Sequence, residues 1–484
     1  MIITNLKQLS SHGNKEGRAP VLEILEAGLQ ASDPYDNLMK MMYIEHGNLV
    51  IDPNIVELDP SVKHERSAYK LSDYNNVYVI GAGKAAQSMA KGVEDILGNR
   101  ITDGQVNFKK GEKEYLKIIN GTPASHPRAD ENSIEGAKRA MEIARRIGKG
   151  DLVFYVLSGG VSATSMLYPL DNNMEPIGIT LDDLLIVQDM LYFERGVPIW
   201  VLNAWRNVVS GNKAGRLERE LKDATVIRLL TNEKWPPGRV GRIHTGGHSY
   251  EIATEVLKNE GIWDRCPKSV RDFLENADPE LGPVPADELR EITSKWNMVS
   301  VMKSEYMIKA AIEKAGELGI STAVLCSTMS GEAKHLSEFM SRSILEIRYD
   351  KRPKVFKPPF AYLLGGEITV EVGKATGIGG RNQEFVLASA PYIREDPRGK
   401  RDKDLLKNVV IASVDSDGTD GPSQDAGGIV DGWTFDRIVE MGIDLVAELE
   451  NHNSNYVMRK LGDAIHTGAR GTNIQDLRVV YISN

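Results

Sequence analysis

NVYVIGAGKAAQSMAKGVEDIL, from Asn76 to Leu97, is the stretch that decides the fold. Asn76 to Ile80 form a short apolar run that predicts a buried strand, and the pattern after the turn predicts a helix through Leu97. The turn between them, Gly81-Ala-Gly-Lys-Ala-Ala, is rich in glycine. Strand, glycine turn and helix in this order are the first unit of a parallel α/β sheet.

The same alternation of strands and helices continues on both sides of a proline-containing break at Pro283 and Pro285. Before it, the pattern predicts strands at Asp151 to Leu157 and Ala224 to Leu230. After it, strands are predicted at 321–326, 409–414 and 477–482, with a helix at 305–318. The sequence therefore predicts an α/β fold in two domains, residues 1–284 and 285–484.

Length, charge and cysteine content narrow the class of protein. A chain of 484 residues is too long for one ordinary core, and its net charge of −9 argues against nucleic acid or an anionic membrane as a partner. Cys266 and Cys326 lie far apart without a metal-ligand spacing, which indicates a reducing compartment. No long apolar segment is present. We expect a cytoplasmic protein that is a monomer or homodimer and binds small molecules.

Lys84 lies inside the first glycine turn, directly before the predicted helix. A lysine at a helix N-terminus favours a carboxylate or phosphate, and Gly81 and Gly83 would let that ligand approach the backbone. A packing turn with a solvated lysine is the alternative. Gly81, Gly83 and Ala86 also satisfy a dinucleotide-binding pattern, but the next strand ends in basic Lys109-Lys110 instead of an acidic residue.

Two further segments of the first half carry candidate anion-binding groups. Backbone N–H groups of the turn Ser158-Gly159-Gly160-Val161-Ser162 could surround a phosphate, or the turn could simply connect a strand to a helix. Arg206, Ser210 and Lys213 are predicted on neighbouring faces of one helix, where a solvated basic face is the alternative. His126-Pro127 is interpreted as a surface turn.

The second half contains a glycine-rich stretch from Leu363 to Glu384, LLGGEITVEVGKATGIGGRNQE. It predicts a Gly-Gly turn, a strand with alternating Ile368, Val370 and Val372, and a second turn that presents Arg381. An arginine held beside glycines can bind a carboxylate or phosphate through two parallel hydrogen bonds.

Three carboxylates, Asp415, Asp417 and Asp420, follow the predicted strand at Val409 to Val414. Carboxylates on one short turn repel one another unless a proton or a hard cation separates them. The sequence therefore predicts a metal ligand or a general base at this turn.

Several motifs together are similar to those of the type II glycerate kinases, which phosphorylate D-glycerate. The motifs occur in the family's order and cover nearly the whole chain from about Val21: IGAGKAA at Ile80, SHPRADENS at Ser125, LSGGVSA at Leu157, NAWRNVVSGNKAGRL at Asn203, GGEITVEV and GGRNQE from Gly365, SDGTDGP at Ser416 and TGARGTNIQDL at Thr467. The chain differs from the family pattern at Asn232, Gln424 and Arg470.

The resemblance implies a Rossmann-like parallel-sheet N-terminal domain, a smaller α/β C-terminal domain of the MOFRL type, and a cleft between them that holds the active site. It implies ATP and Mg²⁺ as cofactors and phosphorylation at the 2-hydroxyl. The resemblance implies catalytic roles for Lys84 and Arg381. Asp420 is predicted as a third catalytic residue, and Asp417 and Asp420 are predicted to bind Mg²⁺ or to accept the hydroxyl proton. Lys213 matches a lysine of the family pattern, and the predicted substrate and nucleotide site consists of Gly81, Gly83, Ser158, Gly159, Gly160, Ser162, Arg206, Lys213, Glu367, Asn382 and Glu384.

Two other functions remain open at this point. An NAD(P)-dependent reductase acting on hydroxypyruvate would use the dinucleotide pattern at Gly81 and the basic Lys109-Lys110. A non-catalytic binder of sugar acids would keep the arginine and lose turnover. The first would oxidise a pyridine nucleotide, and the second would release no ADP.

Overall fold

The computed structural model describes residues 1–57, 61–171, 173–197, 199–232, 248–349, 357–394 and 407–483. These residues form two compact units. The parallel-sheet unit contains the described residues of 34–231 and 248–301, and the mixed-sheet unit contains those of 1–33 and 302–483 together with Asn232. Both units are discontinuous in the chain, whereas the predicted domains 1–284 and 285–484 are continuous. Those domain limits stay a prediction.

The strands are, in chain order, β1 Met42–Glu45, β2 Asn48–Ile51, β3 Ser67–Lys70, β4 Val77–Ala82, β5 Asp103–Lys109, β6 Asn120–Ala124, β7 Leu152–Leu157, β8 Thr225–Asn232, β9 Asn297–Lys303, β10 Ser321–Met329, β11 Phe360–Gly366, β12 Val409–Asp415, β13 Gly427–Asp431, β14 Ala464–Ile465 and β15 Asp476–Ile482.

The α-helices are α1 Leu6–Leu9, α2 Lys15–Gln30, α3 Pro34–Met41, α4 Ala86–Leu97, α5 Glu131–Ala144, α6 Val161–Thr164, α7 Leu181–Asp189, α8 Ile199–Arg206, α9 Arg216–Glu220, α10 Tyr250–Asn259, α11 Lys268–Asn276, α12 Ala286–Thr293, α13 Ser304–Glu317, α14 Ala333–Tyr349, α15 Arg381–Arg394, α16 Thr434–Glu440, α17 Leu445–Glu450 and α18 Ser454–Leu461. Among the described residues, no helix has both the length and the apolar character needed to cross a membrane.

The parallel-sheet unit is built on a six-stranded sheet in the order β6-β5-β4-β7-β8-β9, in which β4 to β8 pair in parallel. Both faces are covered. Val77 and Val79 of β4 face the core that contains α4, whereas Tyr78 and Ile80 face the core that contains α5 and α7. Burial on both faces explains why β4 is a continuous apolar run and not an alternating one. The predicted α/β fold is confirmed here.

The mixed-sheet unit contains a six-stranded sheet in the order β10-β11-β15-β12-β13-β14. β10 and β11 are parallel, whereas the pairs β11-β15, β12-β15, β12-β13 and β13-β14 are antiparallel. β15 lies between β11 and β12, so the last strand of the chain joins segments that precede it by many residues. This arrangement brings the ends of β11 and β12 next to the start of β15.

One predicted strand is wrong. Residues 368–372 are not a strand; the strand is β11, which ends at Gly366. Gly366 has φ +102°, and a side chain there would place its Cβ 2.3 Å from the backbone nitrogen of Met329. The close approach of β10 therefore requires glycine and turns the chain out of the sheet. Ile368 is buried after this turn, which explains its apolar character without a strand.

The N-terminal helix α2 belongs to the mixed-sheet unit and packs against α13, β12 and β15. Arg18 of α2 is fully buried and pairs with Asp431 (Nε to Oδ2 2.5 Å) and Asp463 (Nη1 to Oδ1 2.6 Å), both also fully buried. Burial alone would lower the pKa of Arg18, but Asp463 and Asp431 raise it above its usual value. This pair of contacts joins residues more than four hundred positions apart.

We predict that Arg18→Met destabilises the protein by about 3–5 kcal/mol, because two buried aspartates lose their shared cation. Urea unfolding followed by circular dichroism measures the change. Arg66→Met is the control, since Arg66 and its partner Glu45 are each 46% exposed and such a pair contributes about 0–1 kcal/mol. Equal losses in the two variants would contradict this account of the N-terminal helix.

Candidate active site

The turns after β4 and β7 lie side by side in the parallel-sheet unit. The two strands are neighbours in parallel register, with Ala82 opposite Leu157. The strand order changes direction between them, because β5 and β6 lie on one side and β8 on the other. In open α/β sheets, ligands bind at the carboxyl ends of the strands at this point.

Close backbone contact joins the two turns. The Lys84 N–H donates to the Gly159 carbonyl (2.9 Å) and the Ala85 N–H donates to Ser158 Oγ (2.8 Å). A Cβ at Gly81 would lie 1.9 Å from the Val156 carbonyl oxygen, so only glycine fits. Gly81 of the predicted glycine turn is therefore needed for the close contact between β4 and β7, in addition to any contact with a ligand.

The side chain of Lys84 lies over the second turn. A Cβ added to Gly160, which has φ +87°, would lie 3.0 Å from Lys84 Cγ and 3.3 Å from the His126 ring. His126, interpreted from the sequence as part of a surface turn, is therefore a neighbour of the predicted anion site. His126 is part of the motif SHPRADENS. Its place next to Gly160 depends on the pairing of β5 with β6, which the motif does not show.

Arg206 and Lys213 bring two positive charges to the same turns. Lys213 Nζ donates a hydrogen bond to Ser162 Oγ. Arg206, which is 5% exposed, donates to Asn203 Oδ1 (2.6 Å). Burial lowers the pKa of Arg206 to about 10. Burial, and then the charge of Arg206, lower the pKa of the Lys213 amine well below its usual value.

Neither cation forms an ion pair with a carboxylate within the described part of the chain. The Nε atom of Arg206 is buried and has no hydrogen-bond partner there. Burial of unpaired positive charge is costly, and a bound anion would offset the cost. The geometry therefore favours an anion-binding site formed by Lys84, Arg206, Lys213 and the turn from Ser158 to Ser162.

The predicted helix through Ser210 and Lys213 is wrong, because α8 ends at Arg206 and the next residues form a turn. Arg216, which the sequence analysis did not single out, holds that turn. Its guanidinium donates to the carbonyl oxygens of Asn207, Val208, Ser210, Lys213 and Leu281 at 2.6–3.1 Å. Burial lowers the pKa of Arg216 to about 10. A backbone-binding arginine has no short sequence pattern, so only the structure identifies it.

The second set of predicted residues lies in the mixed-sheet unit, around Arg381. Its guanidinium pairs with Asp476 (2.8 Å from Nε), Asp415 (2.7 Å from Nη2) and Glu367 (3.0 Å from Nη1). Burial alone would lower the pKa of Arg381, but Asp476, Glu367 and Asp415 raise it well above its usual value. The arginine expected to bind a ligand is therefore largely engaged by carboxylates of its own unit.

Asp420 accepts four hydrogen bonds at the start of α15. Oδ1 accepts from the backbone N–H and side-chain amide of Asn382, and Oδ2 accepts from the same groups of Gln383, at 2.8–3.2 Å. Burial raises the pKa of Asp420 to about 6, in spite of these bonds and of Arg381 nearby. The carboxylate is a cap that satisfies otherwise unpaired N–H groups of the helix.

Asp415 and Asp417 each accept hydrogen bonds from neighbouring groups of the same turn. Asp415 Oδ1 accepts from the Asp417 N–H (3.0 Å), and Asp417 Oδ1 accepts from the N–H (2.9 Å) and hydroxyl (2.8 Å) of Thr419. Within the described ranges, no group of three or more Asp, Glu, His and Cys side chains has the geometry of a metal site. The predicted roles of Asp417 and Asp420 as metal ligands stay predictions.

Asn382 and Glu384 of α15 are buried and contact other side chains of the unit. Asn382 Oδ1 accepts from Ser413 and from Arg478, and Glu384 Oε2 is hydrogen-bonded to His452 Nδ1 at 2.8 Å. Burial raises the pKa of Glu384, which His452 partly opposes. The predicted site residues thus fall into two sets, one in each unit. The sequence analysis missed Asp476 and Arg478, although Asp476 lies in a quoted motif.

The fold and this site define a class of protein, namely a two-domain α/β protein with buried cations at the point where the strand order of its parallel sheet reverses. Comparison with known proteins specifies the family. Residues 20–275 match the model described as a domain of unknown function, DUF4147, and residues 360–476 match the MOFRL family.

Curated and solved relatives cover nearly the whole chain. A glycerate 2-kinase of Pyrococcus horikoshii is 31% identical over 96% of this chain and 97% of its own length. A putative hydroxypyruvate reductase of Agrobacterium vitis is 30% identical over 84% of this chain and 86% of its own. The structure of a glycerate kinase from Thermotoga maritima superimposes with a TM-score of 0.70 at 26% identity, covering 96% and 98%. This chain belongs to the glycerate kinase family with DUF4147 and MOFRL domains.

We predict that Arg381→Ala destabilises the fold by about 3–5 kcal/mol at pH 8, because Asp415 stays buried without its cation and Asp476 keeps only Arg478. Burial alone would raise the pKa of Asp476, but Arg381 and Arg478 lower it below its usual value in the folded wild type. The stabilisation from this lowered pKa is fully present above the ordinary carboxyl pKa. It is lost as the pH falls through the lowered pKa of Asp476. In the variant, the same buried carboxyl groups favour protonation. The loss of unfolding free energy relative to the wild type should therefore be smaller at pH 4.5 than at pH 8.

Guanidinium unfolding curves at the two pH values measure this difference. Arg459→Ala is the matched control, because Arg459 also binds an aspartate, Asp425, through two nitrogen atoms but is 53% exposed. Its loss should be about 1 kcal/mol or less. A deficit in Arg381→Ala that is small, or that does not change with pH, would show that the three carboxylates do not depend on Arg381.

Proposed function

We propose that this protein is a phosphotransferase that moves the γ-phosphoryl group of ATP to a hydroxyl of D-glycerate, at the 2-position, with Mg²⁺. The observation that carries the proposal is the unpaired positive charge of Arg206 and Lys213 beside the two turns after β4 and β7. Family membership supports the same activity, since a glycerate 2-kinase and a glycerate kinase are among the relatives.

Phosphoryl transfer needs positioned positive charge more than it needs covalent chemistry, because negative charge is spread over the phosphoryl oxygens during transfer. The parallel-sheet unit offers three cationic side chains, Lys84, Arg206 and Lys213, around one turn. The N-terminus of α4 directly after Lys84 adds a partial positive charge. We propose that the nucleotide's phosphates occupy this turn.

The residues present fit a phosphate. Gly160 leaves space under Lys84 that a Cβ would fill, and the buried Nε of Arg206 has no partner among the described residues. When bound, Mg²⁺ would neutralise charge on the phosphates. Of the two predicted ligands, Asp420 uses both carboxylate oxygens to cap α15, so we propose Asp417 for the metal.

Arg381 keeps a proposed role in substrate binding through one side of its guanidinium. Nη1 and Glu367 form the more exposed part of the cluster, since the Glu367 side chain is 31% exposed and Asp415 and Asp476 are almost fully buried. We propose that this side meets the carboxylate of the acceptor. The buried side orders the start of β15 against the end of β12.

A hydroxypyruvate-type reductase is the second candidate, and the name of the Agrobacterium vitis relative favours keeping it. Against it, β5 ends at Lys109 and is followed by Lys110, where a dinucleotide fold needs an acidic residue for the ribose. The two functions differ in one measurable quantity. A reductase consumes NADH or NADPH and needs no ATP.

The decisive experiment measures ADP release in a coupled assay with ATP, Mg²⁺ and a panel of hydroxy acids led by D-glycerate. We expect glycerate-dependent ADP release, and NMR of the product distinguishes 2-phosphoglycerate from the 3-isomer. Oxidation of NADH or NADPH with hydroxypyruvate, without ADP release, would establish the reductase instead. Ligand binding without either reaction would establish a non-catalytic binder.

We predict that Lys84→Ala lowers the rate of glycerate-dependent ADP release about a hundred- to a thousand-fold, as for other charged contacts at developing negative charge. The melting temperature should change little, because the Lys84 side chain extends over the glycine turn from a half-buried position. Lys149→Ala, an exposed lysine ahead of β7, is the control. Near-normal turnover in Lys84→Ala would remove this turn from the phosphate site.

A further inference from the structure

His126 lies beside the turn from Ser158 to Ser162, although it follows a different strand, β6. The surroundings of Gly160 show this. A Cβ added to Gly160 would lie 3.3 Å from His126 Cδ2, 3.6 Å from His126 Nε2 and 3.0 Å from Lys84 Cγ. The imidazole ring and the Lys84 side chain therefore border the same space over Gly160, which is the space that the proposed function gives to a phosphate.

The edge of the ring that faces this space carries a hydrogen-bonding atom. Cδ2 and Nε2 are the two ring atoms nearest to the added Cβ of Gly160. An imidazole with a proton on Nε2 donates a hydrogen bond from that atom, whether the ring is neutral or charged. His126 can therefore offer an N–H to an anion over Gly160, and this contact does not require a second charge beside Lys84.

The segment that carries His126 is held on both sides of the ring. Ser125 Oγ donates to Asp130 Oδ2 (2.7 Å), and Asn132 Nδ2 donates to the carbonyl oxygen of Pro123 (2.8 Å). Asp130 in turn caps the start of α5 through a capping box. A side chain presented by a segment that is already ordered loses little conformational freedom when it binds a ligand. The loop is therefore suited to place the imidazole and not only to connect β6 with α5.

A phosphate at this turn is best held by donors of two kinds. The Lys84 ammonium supplies charge from a flexible stem, whereas a ring nitrogen supplies a donor of fixed direction. Hydrogen bonds to charged oxygen atoms are shorter and stronger than those between neutral groups. The carboxylate of the acceptor has a proposed place at Arg381, in the mixed-sheet unit. The anion expected at His126 is therefore the phosphate chain of the nucleotide.

We propose that His126 binds the nucleotide directly and donates a hydrogen bond from Nε2 to one of its phosphate oxygens. This inference rests on the proposed function, which places the phosphates at this turn, and it adds the loop after β6 to the ligand site. A hydrogen bond to a charged acceptor contributes about 10- to 100-fold in affinity. Because the contact is present both before and during transfer, its loss should raise KM for ATP and change kcat little.

The test compares His126→Phe and His126→Gln with the wild type. Phenylalanine keeps a ring and loses the donor, whereas glutamine keeps an N–H donor. Isothermal titration calorimetry measures the binding of ADP, of pyrophosphate, which consists of phosphates alone, and of adenosine, which has none. We expect His126→Phe to weaken the binding of ADP and pyrophosphate about 10- to 100-fold and to leave that of adenosine unchanged. His126→Gln should keep more of the affinity than His126→Phe.

Steady-state kinetics and chemical modification supply two further readouts. In glycerate-dependent ADP release, His126→Phe should raise KM for ATP by the same factor and leave KM for D-glycerate nearly unchanged. In the wild type, ADP and pyrophosphate should protect His126 from diethyl pyrocarbonate, as located by peptide mass spectrometry. His335, an exposed residue of α14, is the control. ADP should not protect it, and His335→Phe should bind ADP as the wild type does.

Several results would overturn the proposal. Unchanged ADP affinity in His126→Phe, or equal losses in both variants, would mean that the ring only packs against the turn. A loss confined to D-glycerate would place His126 at the acceptor instead. Full modification of His126 in the presence of saturating ADP would exclude the contact, and this measurement on the wild type decides even where near-ultraviolet circular dichroism shows that a variant has not folded. Failure of the proposed function looks different, because the wild type itself would then release no ADP with glycerate.

Discussion

The backbone contact between the turns after β4 and β7 is the constraint on which the site in the parallel-sheet unit depends. It is possible only because the Val156 carbonyl can approach Gly81 without a Cβ in between. The contact fixes Lys84 over Gly160 and brings the segment that starts at Ser158 into reach of Lys213.

The buried cations described above have different partners in the two units. In the mixed-sheet unit, Arg381 and Arg18 are each paired with two or three carboxylates, so these charges contribute to the fold. In the parallel-sheet unit, Arg206 and Lys213 have no such carboxylate among the described residues, and Arg216 binds backbone carbonyls instead. A charge that its own fold leaves uncompensated is available for a ligand or a proton. Because of this difference, the turn near Lys213 is a stronger candidate for the ligand site than Arg381.

Much of this could be predicted from the sequence. The strand at Val77, its glycine turn and the helix after it depend on neighbours in the chain and were predicted correctly in kind. The role of Lys84 in that turn stays a prediction. The strand at 368–372 was predicted wrongly, because alternating apolar residues also occur where a chain leaves a sheet with one buried side chain. Lys213 was predicted on a helix, since its apolar and basic spacing is helical, but Arg216 captures the carbonyls that a helix would use.

The sequence alone determined the α/β class and the repeated strand-turn-helix units, because period and glycine placement are local properties of the chain. Only the tertiary structure decided which charges are compensated. Arg381 meets Asp476 across 95 positions and Arg18 meets Asp431 across 413. Such pairs depend on strand order and register, which no short pattern encodes. The same reason explains why residues 1–33 belong with the last strands of the chain, and why the amine of Lys213 faces a hydroxyl and a cation instead of a carboxylate.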